Sequence, residues 1–133
     1  QEILSIIGGI IVTYGKFAYN EANLIYTAVK NVKGVQLLDI DSGIGANRTV
    51  ITFVGEPKQV IEAAFLLIQK TAELIDMSKH SGEHPRFGAT DVCPLVPITN
   101  ISMAETANLA FKSFDTALIN FDDFRNYITE KNQ

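Results

Sequence analysis

Both histidines of this 133-residue chain, His80 and His84, fall in one stretch, Lys79-His80-Ser81-Gly82-Glu83-His84-Pro85-Arg86-Phe87-Gly88. Imidazole has an unperturbed pKa of ~6.5 and so suits proton transfer near neutrality. Catalytic groups concentrate on loops carried by rigid scaffolds, and the glycines and proline here require a loop. The same composition also fits a solvated polar loop with incidental histidines. Zinc is a further question, because His80, His84 and Cys93 lie close in sequence. Two histidines four apart converge when they sit on a helix, which Gly82 and Pro85 oppose. With a single cysteine in the chain, no recognisable ligand set is complete and no metal is expected.

Other polar residues gain interest from their spacing. Asp39 and Asp41 alternate along an apolar run, so on a strand they share one face while Ile40 takes the other. Such a pair can simply open the following turn. It can also be recruited by a cation or a histidine, since a carboxylate behind an imidazole fixes its tautomer and stabilises the imidazolium. Arg48 and Arg86 could grip a substrate carboxylate through paired hydrogen bonds, or serve as ordinary surface charges. Gly43 and Gly45 lack the spacing of a phosphate-binding motif.

The elements that must position these groups read clearly. Residues 6–13 form an apolar, β-branched strand interrupted by Gly8-Gly9. Asn20 is placed to cap a helix over 22–32, with Ile25, Ala28, Val29 and Val32 on one face and Gly34 at its left-handed exit. Strands are expected at 35–41 and 48–54 around a turn at 42–47. A helix follows Pro57, with Val60, Ile61, Ala64, Phe65, Ile68, Ala72 and Ile75 facing a sheet. After the 77–90 loop, residues 92–98 return to β character, confined to an edge by Pro94 and Pro97. Ser102 and Glu105 match a capping box for a helix to about residue 118. Phe121, Phe124 and Tyr127 then anchor a short helix or tail. The order β-α-β-β-α-β plus a helix is an α+β, ferredoxin-like sheet with its helices on one face, in a single domain. The opposite face is left for a partner domain, a subunit or a ligand.

Composition narrows the function classes. A net charge of −4 argues against nucleic-acid and anionic-membrane binding, while leaving room for an anionic small substrate at a local cluster of arginines. The apolar opening at 3–12 is too short to span a bilayer and no basic residue precedes it, so a buried strand is expected rather than a targeting signal. One cysteine suits a reducing, cytoplasmic setting.

Two longer motifs carry a resemblance. Leu37-Leu38-Asp39-Ile40-Asp41 with Asn47-Arg48-Thr49-Val50 and Phe53-Val54-Gly55-Glu56-Pro57 is similar to the start of a glutamate formiminotransferase. Ile75-Asp76-Met77 followed by Gly82-Glu83-His84-Pro85-Arg86-Phe87-Gly88-Ala89-Thr90-Asp91-Val92-Cys93-Pro94 resembles the same family's signature and is far more specific. The resemblance covers residues 37–97. It implies transfer of a formimino group from N-formimino-L-glutamate to N5 of tetrahydrofolate, in one-carbon metabolism and histidine degradation. Tetrahydrofolate is then a co-substrate, and no metal or prosthetic group is implied. His84 becomes the base and Asp41 the carboxylate that orients it. Asp39, Asn47, Arg48, Glu83, Arg86 and Gly88 become the substrate-binding set. The family clasps folate between two similar halves, which implies a second transferase half or a homo-oligomer as partner. Residues 1–20 and 111–133 depart from the family pattern. The alternative is a non-catalytic ferredoxin-like binding or oligomerisation module derived from that family.

Overall fold

The structure, a computed structural model, describes residues 4–14, 19–43, 47–76, 78, 88–113, 122, 125, 126 and 129. Its elements are β1 (Ile6–Tyr14), α1 (Tyr19–Lys30), β2 (Val35–Gly43), β3 (Arg48–Gly55), α2 (Pro57–Leu74), β4 (Thr90–Val92), β5 (Leu95–Thr99) and α3 (Met103–Ser113). The sheet order is β2-β3-β1, with β4 and β5 both along the free side of β1, and every pairing is antiparallel. This is the expected α+β ferredoxin-like arrangement. The last strand lies at an edge as expected, but in two pieces. Pro94 stands between them with no N–H for the ladder, while its carbonyl accepts a bond from the Ile10 N–H at 3.1 Å.

The helices follow from their apolar stripes and ends. In α2, Pro57 occupies the first turn, where a missing N–H does no harm. Val60, Ala63, Ala64, Leu67 and Thr71 form its buried stripe. Phe65, expected on that face, is 58% exposed, because it lies about 100° around the helix from Ala64. Ala72 is likewise exposed. Helix α1 begins at Tyr19, so Asn20 lies inside it rather than capping it, and it ends two residues early, at Lys30. Val32 is nonetheless buried, in the turn that leads to Gly34 at φ +88°. The capping box of α3 closes in both directions. The Glu105 N–H donates to Ser102 Oγ at 3.0 Å, and the Ser102 N–H donates to Glu105 Oε1 at 3.1 Å. Helix α3 is described as far as Ser113. Phe121, Phe124 and Tyr127 lie outside the described residues.

Strand alternation divides the apolar residues between two faces. The helix side holds the main core, with Ile7, Ile11, Ile51, Phe53 and Leu95 against Ile25, Val29, Val60 and Leu67. The second side holds Ile10 and Val96, with Val12, Val50, Val54 and Ile98 around them. That side was expected to be uncovered. Its middle is in fact shielded, since Ile10, Thr52 and Val96 are each at most 4% exposed. Gly9 faces the helix side at the point where β1 passes under the Phe53 ring. A Cβ there would stand 2.7 Å from Phe53 Cε2.

Candidate functional site

The topology gathers the polar candidates at one end of the sheet. Strand β3 begins at Arg48 and α2 runs back after it, so Ile75 and the start of the motif loop return to the Arg48 end. The loop comes back into the sheet at β4, which pairs with the same end of β1 through Val12↔Val92 and Thr13↔Thr90. Strand β2 brings its Asp41–Gly43 end there too, through Asp41↔Val50 and Gly43↔Arg48. The loop's departure is fixed locally. Ile75 is buried, and the Asp76 carboxylate accepts bonds from the Ser78 N–H at 3.0 Å and the Ser78 hydroxyl at 2.6 Å.

A bulge in β2 sets which side its carboxylates take. Leu37 opposes Phe53 and Asp39 opposes Thr52, leaving Leu38 as the extra residue. Past it, Asp39 and Asp41 sit on the second face in register with Thr52 and Val50, while Ile40 packs against the helix-side core. Asp39 Oδ2 and Thr52 Oγ1 are both shielded from water and lack a hydrogen-bond partner. Uncompensated burial of polar oxygens costs about 1–3 kcal/mol each, and such strain collects at functional positions. Strand β2 runs on to Gly43, past the expected turn start. Ser42 and Thr49 form a hydroxyl pair at 3.0 Å that keeps the ladder closed. Asn47 then completes the turn at φ +52°, a conformation that asparagine tolerates well.

Arg48 and Asp91 meet across the sheet, with Arg48 Nη2 at 3.4 Å from Asp91 Oδ2. Asp91 is the extra residue between the two paired positions of β4, and bulges of this kind re-aim a side chain. Nothing in the sequence reading singled out Asp91; the signal was its place in the Thr90-Asp91-Val92 segment that ends the motif loop. Gly88 is the first residue described on that return.

His80, Glu83, His84 and Arg86 lie outside the described residues. No three His, Cys, Asp or Glu side chains among the described residues could hold a metal ion, and Cys93 is buried in the helix-side core. Among the described residues no helix is long and apolar enough to cross a membrane.

Comparison with known proteins identifies relatives of the chain. The family model described as "Formiminotransferase domain, N-terminal subdomain" matches residues 19–132. The formimidoyltransferase-cyclodeaminase of Gallus gallus is 56% identical over 78 residues, 59% of this chain and 14% of that protein. Its Mus musculus counterpart is 49% identical over 94 residues, 71% of this chain and 17% of that protein. The glutamate formimidoyltransferase of Streptococcus pyogenes serotype M1 is 51% identical over 87 residues, 65% of this chain and 29% of that protein. The chain thus spans less than a third of the length of each of these relatives. The crystal structure of MupZ from Pseudomonas fluorescens superposes with a TM-score of 0.50, covering 91% of this chain and 89% of its own. At 6% identity that likeness shows the fold alone. With the family model matching most of the chain, this protein belongs to the formiminotransferase family, as an N-terminal subdomain.

Proposed function

We propose that this chain supplies the histidine-bearing half of a formiminotransferase site. In this reading a formimino group passes from N-formimino-L-glutamate to N5 of tetrahydrofolate. The observation that carries it is the convergence of Asp41, Arg48, Asp91 and both ends of the Gly-Glu-His-Pro-Arg loop at one end of the sheet.

The chemistry needs a base on one side of an amidine carbon. The N5 amine attacks that carbon and a C–N bond forms. His84 accepts the proton that N5 must lose. The bond to the glutamate nitrogen then breaks, and the imidazolium returns the proton to the departing amine. The exchange is redox-neutral and closes with two substrates and one shuttled proton. Asp41 orients the imidazole and stabilises its charged form, as a carboxylate behind a histidine does elsewhere. Asp39, Asn47, Glu83 and Gly88 are proposed to line the substrate path. Of the two arginines, Arg86 is the one proposed to take a substrate carboxylate, since Arg48 is engaged by Asp91. A second transferase half, on another chain or region, supplies the opposing wall.

Formimino transfer, measured with the chain alone and with a complementing second half, tests the proposal. His84→Ala should lower the rate by at least ~10²-fold, the usual scale for loss of a general base. Equal rates for the two proteins would remove His84 from the mechanism.

A further inference from the structure

Strand β4 is a weak anchor for a loop that must hold a catalytic group. It is three residues long and pairs with β1 at two positions, with a bulge between them. A further tie is electrostatic. The Asp91 side chain is 9% exposed, and a carboxylate that far from water needs a counter-charge. Arg48 provides it from β3, reaching over the intervening β1. The ion pair thereby ties the edge piece to the interior of the sheet. Just upstream, Ala89 packs on the helix-side core, and the sequence then leads through Gly88 back to His84.

We propose that Arg48 and Asp91 are positioning residues. Their ion pair fixes the point and the direction at which the motif loop rejoins the sheet, and so the space that His84 can reach. The inference rests on the reading of His84 as the base. It gives Arg48 a role distinct from substrate binding, because the guanidinium acts through Asp91 and the loop rather than on a reacting molecule.

The test uses the full chain by NMR, without folate. Two histidines give two imidazole signals, and His80→Gln assigns them. Asp91→Asn and Arg48→Met should each displace the His84 imidazole signal. Each should also speed amide exchange at Thr90 and Val92 by about fivefold, the scale of a partly exposed ion pair. Exchange in α2 and β5 should stay as in the wild type, which separates local release from unfolding. The double variant should be no worse than either single one, and Arg48→Lys should keep the wild-type His84 signal. An unmoved His84 signal in both single variants overturns the proposal, as do additive effects in the double variant. Because no folate enters the measurement, the pair can fail while the transferase reading stands, and the reverse.

Discussion

Gly9 offers the sharpest test of the packing on which the site depends. Gly9→Ala adds one methyl group to the central strand, between Phe53 on β3 and Leu95 on β5. That carbon would stand 2.7 Å from Phe53 Cε2, 2.8 Å from Phe53 Cζ and 3.1 Å from Val60 Cγ1. Phe53 and Val60 are fully buried, so neither can swing outward to make room. Overpacking of this kind costs about 1–3 kcal/mol. For a domain with about 5–15 kcal/mol in total, that is a large fraction of the stability. Urea unfolding followed by circular dichroism should show the midpoint falling by about 1 M with an unchanged slope. Phe53→Leu removes the obstructing ring edge, so the double variant should be less destabilised than the sum of its parts by at least ~1 kcal/mol. A Gly9→Ala protein within ~0.5 kcal/mol of wild type would refute the reasoning, as would strict additivity with Phe53→Leu.

Three further expectations are as direct. Thr52→Val keeps the β-branched shape and removes a buried hydroxyl with no partner, so equilibrium unfolding should show a gain of about 1 kcal/mol. Ser102→Ala removes the oxygen that caps α3, and should destabilise the chain by about 1 kcal/mol in the same measurement. Asp41→Asn should leave the unfolding midpoint near that of wild type while formimino transfer falls by at least ~10²-fold. A stable Asp41→Asn protein with full transfer activity would release that carboxylate from its proposed role.

The sheet was legible because its strands are runs of β-branched and apolar residues, such as Thr49 to Val54, bounded by glycine, asparagine and proline. The capping box at Ser102 and Glu105 was equally plain, since both bonds are local and their spacing is fixed. What escaped depended on contacts between distant parts of the chain. Phe65 fits an apolar stripe on paper, and only the docking angle of α2 puts it outside. The bulge at Leu38 leaves no local signal, yet the faces of Gln36 and Leu37 relative to Asp39 depend on it. Arg48 was readable as a cation able to grip a carboxylate, but the carboxylate it meets belongs to the protein, 43 residues further on. His84 was singled out by its neighbours in sequence, whereas the placement of Asp41 and Asp91 depends on strand order.

The irregular rims of the sheet have a consequence for how copies of this chain can meet. An exposed, regular edge strand is a template for adding another strand, and through it for aggregation. Here neither rim is regular. Strand β2 is bulged at Leu38. The opposite rim is cut at Pro94, carries Pro97 within β5 and shifts register twice against β1. Each break removes or misaligns the donors and acceptors that a visiting strand would need. The fold therefore discourages edge-to-edge growth along both sides of the described sheet.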